Sequence, residues 1–156
     1  MAAGPPGGDS SPMPSELNVE TVHQGALRFT TTARGHAVTT DYPIRAGDAG
    51  LTPLELILAA LASCAGSALA VLLRKAEQPF SALTVEAKGL RRDEHPTLLS
   101  EITLEYVVSA SGIDREAVTR AIALSEERLC PVWALLRPGT KLSSSLRIVA
   151  PATIDA

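Results

Sequence analysis

Residues Thr52–Lys75 read TPLELILAALASCAGSALAVLLRK, and this stretch decides the fold. Thr52, Pro53 and Glu55 spell a helix start. Threonine suits the N-cap, proline suits the first helical position, and Glu55 completes a T-x-x-E capping box. Pro79 predicts the stop, near Glu77-Gln78. Leu56 to Leu73 is eighteen residues without a charge, formally enough for a membrane span. Ser63, Cys64, Gly66, Ser67 and many alanines make the run only weakly apolar, and Glu55 and Arg74-Lys75 bound it closely. A helix apolar on every side is also what a buried central helix looks like. The expectation is a core helix, not a membrane helix.

Outward from this helix the pattern is that of strands. Leu17–Tyr42 alternates with period two and is broken by turns at Gln24-Gly25 and Arg34-Gly35, which predicts a three-stranded meander. Residues 43–51 form a Gly-rich loop into the helix. Leu83–Arg92 and Leu98–Ser109 flank Asp93-Glu94-His95-Pro96 and read as a hairpin. Asp114 opens a second helix, Arg115 to about Leu129, with Val118, Ile122 and Ser125/Leu129 as its stripe. Pro131 interrupts it, a short turn Val132–Leu136 follows, and Lys141–Val149 is a last strand. The order βββ-α-ββ-α-β makes an α+β chain with segregated, mostly antiparallel strands. Residues 1–15 are Gly, Pro and Ser with nothing to bury and read as a disordered tail; residues 16–156 read as a single domain.

Composition narrows the function. The net charge of −3 gives no basic footprint, and 3% aromatics gives no base-stacking surface, so nucleic acid is not an expected partner. No cationic segment precedes an apolar one at the N-terminus, which suits a cytoplasmic protein. His23, His36 and His95 have no ligand spacing to each other or to the cysteines, so no metal is expected. No phosphate loop, nucleophile elbow or dinucleotide fingerprint is present, and no cofactor is implied.

Cys64 and Cys130 are the only thiols, 66 residues apart. A separated pair in a chain without a secretory signal suggests redox chemistry. The alternative is two unrelated core cysteines, since free Cys is among the most buried residue types.

Asp41–Cys64, DYPIRAGDAGLTPLELILAALASC, resembles the signature of the OsmC/Ohr family of osmotically inducible and organic hydroperoxide resistance proteins. That signature is an Asp-x-Pro strand end, a Gly-rich loop, then Pro-Leu-Glu-Leu-Leu-Leu-x-Ala-Leu-x-x-Cys. Cys130-Pro131-Val132 is similar to the family's second motif, and the likeness covers about residues 17–150. The resemblance implies an intertwined homodimer with long helices buried centrally and antiparallel sheets wrapped outside. It implies reduction of organic hydroperoxides, with Cys64 as the peroxidatic thiol, Cys130 as the resolving thiol and an external dithiol as reductant. It also implies an arginine from the early strands beside Cys64. Arg34 sits at the corresponding turn, and Arg28 and Arg45 are weaker candidates. Peroxidase members carry Glu ten residues before the Cys, where this chain has Leu54; Glu55 is nine before. Nine helical residues turn about 900° and rise about 13 Å, so Glu55 has two readings, a helix cap or a group orienting the arginine. The shift places the chain nearer the general OsmC-like branch. Apolar neighbours such as Leu58, Leu61 and Trp133 favour fatty or aryl hydroperoxides. The competing function is a non-catalytic OsmC-like protein that binds a small apolar ligand at the dimer cleft.

Overall fold

The computed structural model describes residues 16–42, 44 and 47–151. The N-terminal tail and Arg45 lie outside the described residues. The chain divides between Leu51 and Thr52 into two compact units.

The N-terminal unit is an antiparallel meander of β1 (Glu20–His23), β2 (Phe29–Ala33) and β3 (His36–Thr40). The strands are shorter than the alternation predicts. Gly25 and Ala26 both have positive φ, and Arg28 N–H bonds back to the Gly25 carbonyl at 3.0 Å, so the turn absorbs Ala26–Arg28. Arg34 and Gly35 form a two-residue turn with φ of 50° and 80°. Positive φ at both positions matches the right-handed twist of the strands it joins.

Asp41 fastens the end of β3 and is almost fully buried. Its carboxylate accepts from Ala49 N–H at 3.1 Å, Tyr42 N–H at 3.0 Å and Arg28 Nη2 at 3.0 Å. The Ala49 amide, then the Arg28 guanidinium, hold this carboxyl below its ordinary value. A carboxyl depressed in the folded state stabilises above its unfolded pKa, and that contribution is lost as pH falls through the folded value. Amide exchange in β2 and β3 should therefore lose protection below about pH 4, and Asp41→Asn should remove this acid dependence. Equal protection of wild type at pH 3 and 5 would contradict the role.

The C-terminal unit starts with α1 (Pro53–Lys75). The capping box forms as the sequence predicts: Thr52 Oγ1 accepts from Glu55 N–H at 3.3 Å, and Glu55 Oε2 accepts from Thr52 N–H at 2.7 Å. Leu61, Ala65, Leu69 and Leu73, at intervals of four, form its buried stripe. This makes α1 the core helix of the unit, although its length and composition alone would let it cross a membrane.

The stripe covers a sheet of β4 (Ala82–Arg91), β5 (Leu99–Ser109) and β6 (Lys141–Val149), in that order. Along β5, Ile102, Leu104, Tyr106 and Val108 alternate inward and are fully or almost fully buried. β4 and β5 pair antiparallel, whereas β6 runs parallel to β5. The helical segment between β5 and β6 returns the chain to the end where β5 began, and a parallel partner needs such a crossover. Gly89 of β4 faces α1. A Cβ there would lie 2.8 Å from Leu99 Cδ2 and 3.1 Å from Leu58 Cδ2. Gly89→Val should cost about 1–3 kcal/mol by overpacking, read as a lower denaturant midpoint.

The expected second helix is two segments, and the expected short turn after Pro131 is a helix of its own. α2 (Arg115–Leu124) runs into a π-helical turn, Ser125–Leu129, and α3 (Pro131–Leu136) follows. Cys130 N–H closes the π turn on the Ser125 carbonyl at 2.8 Å. The cause is Pro131: the residue before a proline is driven out of the helical region, and Cys130 has φ −88° and ψ 101°.

Candidate thiol site

The core of the C-terminal unit brings the two cysteines together. Both are free thiols, Cys64 half-buried and Cys130 only 2% exposed. Cys64 sits mid-α1, beside the buried stripe. Cys130 is the N-cap of α3, where its Sγ accepts from Trp133 N–H at 3.4 Å. Cys130 belongs to the core cluster that Cys64 packs against. Burial first, then the influence of Cys64, push the Cys130 thiol above its ordinary value, while the amides of Trp133 and Val132 pull it down. At neutral pH Cys130 is therefore a thiol. Cys64 is the more accessible sulfur, which suits it for first attack on an incoming molecule.

Two groups that the sequence reading did not single out complete the cluster. Tyr106 is fully buried on the inner face of β5, and its hydroxyl donates to Glu126 Oε1 at 3.2 Å. Burial raises the phenol first, and the charges of Glu126, Cys130 and Cys64 raise it further, so Tyr106 stays protonated. Burial also raises the Glu126 carboxyl, opposed by hydrogen bonds from Ser144 and Tyr106. A signal for Glu126 was available in the sequence. Val118, Ile122 and Glu126 are spaced by four, which puts a carboxyl on the helix's apolar stripe.

Of the other expected site residues, Glu55 belongs to the same unit as the thiols, and Arg34 and Arg28 belong to the N-terminal unit. Glu55 spends its carboxylate on the capping box at the start of α1, about 13 Å along the axis from Cys64. Hydrogen bonds to the Thr52 amide and hydroxyl hold it below its ordinary value. Arg34 is an exposed turn residue of the N-terminal unit, and Arg28 of the same unit is paired with Asp41 at 3.0 Å. Both thiols belong to the C-terminal unit. Leu61 and Trp133 are core residues, and Leu58 packs against that core. An apolar cavity of about 280 Å³ opens near the start of α1, between Leu54, Ile57, Leu98, Leu99, Leu135 and Leu136. Among the described residues, no three His, Cys, Asp or Glu side chains are grouped to hold a metal ion.

Residues 46–145 match the family model described as OsmC-like protein. The chain belongs to the OsmC family. Protein YhfA of Escherichia coli (strain K12) is 30% identical over 127 residues, which is 81% of this chain and 93% of that protein. A crystal structure of a hypothetical protein from Aquifex aeolicus VF5 is 28% identical, with a TM-score of 0.78 over 88% of this chain and 98% of the other. The organic hydroperoxide resistance protein OhrB of Bacillus subtilis shares the fold, with a TM-score of 0.61 at 20% identity over 85% of this chain and 98% of that one. The OsmC family thus accounts for the α+β architecture and for the apolar α1 as a core element.

Proposed function

We propose that the protein is a cytoplasmic, thiol-dependent reductase of organic hydroperoxides, acting in oxidative stress defence as a homodimer. The observation that carries this reading is the shared core position of Cys64 and Cys130 in the C-terminal unit. The Cys64 thiolate attacks the terminal peroxide oxygen, the O–O bond breaks, and the alkoxide leaves as the alcohol after taking a proton. Cys64 is left as a sulfenic acid. Cys130 attacks that sulfur, releasing water and forming the disulfide, and an external dithiol returns both sulfurs to thiols. Family membership and the organic hydroperoxide resistance proteins among the solved relatives support this chemistry. Arg34 is the proposed cation for the Cys64 thiolate, and Arg34→Ala should slow alkylation of Cys64 by iodoacetamide near neutral pH.

The test of the reading is one equivalent of cumene hydroperoxide, with thiols counted by mass spectrometry. Loss of two thiols as an internal disulfide is expected. A second reading is a ligand-binding protein with an inert cysteine pair, favoured by the commitment of Glu55 to the helix cap. Unchanged thiols after peroxide would select it.

A further inference from the structure

Cys130 has a second task that thiol chemistry does not require: it is the residue on which α3 is built. Its carbonyl accepts from Ala134 N–H at 3.1 Å, the first helical bond of α3. Its Sγ accepts from Trp133 N–H at 3.4 Å. Its own N–H closes the π turn on the Ser125 carbonyl at 2.8 Å. Pro131, at the first helical position, has no N–H to be capped. The Cys130 sulfur thus stands where an oxygen of serine, threonine or aspartate stands in an ordinary N-cap.

Little else holds α3. Its six residues, Pro131–Leu136, are too few to stay helical without tertiary packing. On one side Trp133 is buried, and Val132 and Leu136 lie against the core. On the other, Leu135 is 79% exposed. Leu135 and Leu136 form one wall of the apolar cavity of about 280 Å³, facing the start of α1 and of β5. A change at the cap therefore reaches both Trp133 and that wall.

The sulfur that makes the cap is the one that the proposed chemistry consumes. Bonded to Cys64, Cys130 Sγ is tethered to α1 and gives up the position from which it accepts the Trp133 N–H. That amide belongs to a buried residue, and a buried donor without its partner destabilises the segment that carries it.

We infer that the Cys130 N-cap makes α3 a redox-sensitive switch, helical while Cys130 is a thiol and loosened when Cys130 is joined to Cys64. The inference rests on the thiol-pair reading above but not on the identity of the oxidant. Each thiol gives up one proton and one electron, and the two sulfurs form one bond. A hydroperoxide takes both protons and both electrons as it becomes alcohol and water. An azo oxidant takes them as its N=N bond becomes a hydrazine. Cys130 is closed off from solvent in the reduced chain. Loosening α3 opens that side to the dithiol that must reduce the disulfide.

The test oxidises the full chain with the azo compound diamide and reads amide hydrogen exchange by NMR. A loss of two hydrogens in the intact mass verifies the internal disulfide. Ala134 N–H bonds to the Cys130 carbonyl and Arg137 N–H to the Trp133 carbonyl, so both report on α3. In the oxidised chain they should exchange about 5-fold faster than in the reduced chain, the size of a typical lost N-cap, while the β5 amides lose no protection. Cys130→Ala should show the faster α3 exchange with no oxidant. Cys130→Ser, whose hydroxyl also caps, should not. Diamide should leave α3 unchanged in both variants and in Cys64→Ser. Trp133 is the only tryptophan of the chain, and its quenching by acrylamide should rise in oxidised wild type and in Cys130→Ala.

Unchanged α3 exchange in the oxidised chain would overturn the inference and leave the thiol pair standing, as would Cys130→Ala with the α3 protection of wild type. Failure of diamide to form the internal disulfide would remove the thiol-pair reading and this inference with it. Loosening of α3 by diamide, with no response to cumene hydroperoxide, would refute the hydroperoxide reading and leave the switch standing. Should Cys130→Ala fail to fold, oxidised wild type and Cys130→Ser decide.

Discussion

Cys64→Ser should abolish hydroperoxide turnover, and Cys130→Ser should not do so in the same way. The two sulfurs differ in exposure and in protonation. Cys64 is half-buried on α1, whereas Cys130 is 2% exposed, caps α3 and is held protonated by burial. Without Cys64, the remaining thiol is too shielded and too rarely ionised to replace it. Without Cys130, the peroxide still meets Cys64, about one equivalent is consumed, and the sulfenic acid has no thiol to condense with. It should be trapped by dimedone and, under excess peroxide, climb to the sulfinic and sulfonic acids. Intact-mass spectra after one and ten equivalents would separate the two variants. Wild-type turnover by Cys64→Ser would remove Cys64 from its assigned role.

The parts of the structure written in the sequence are those set by local rules. The α1 cap follows from Thr52, Pro53 and Glu55, and the same box explains why Glu55 is engaged away from the thiol. The Arg34-Gly35 turn is legible for the same reason, since a two-residue hairpin restricts its own backbone. Long-range features were harder to read. Nothing near Lys141 signals that β6 would pair parallel; the crossover path decides that. Pro131 announces a break, but the π turn arises from the way Cys130 N–H closes back on Ser125. Tyr106 and Glu126 looked ordinary because their meeting joins β5 to a turn 20 residues later. The motif pattern suggested that Cys64 and Cys130 form a pair. Their shared core position adds a chemical difference between the sulfurs that spacing does not carry.

The second large effect concerns assembly. On a single chain α1 is buried along one side only. Leu61, Ala65, Leu69 and Leu73 are buried, while Ile57, Ala60, Ser63, Ser67 and Val71 lie exposed along the opposite side. Ile57 is 37% and Val71 47% exposed. These residues recur at three and four, so they form one continuous stripe along the helix. Small side chains at Ala60, Ser63 and Ser67 would let another helix approach closely. A second copy of this chain, presenting the same stripe, is the proposed cover, by isologous packing. The expected interface exceeds about 2,000 Å², the lower range for obligate dimers. A carboxylate in the middle of it would be desolvated without a partner, a loss of about 3–5 kcal/mol for each uncompensated charge. Because each copy would present the same stripe, Ala60→Glu would introduce two such charges. Wild type should sediment as a dimer at micromolar concentration, and Ala60→Glu should sediment as a monomer with a sharply lowered denaturant midpoint. The midpoint of wild type should also rise with protein concentration, as it must when folding and association are linked. A stable, folded wild-type monomer at micromolar concentration would refute the homodimer, and the exposed stripe of α1 would then need a different partner.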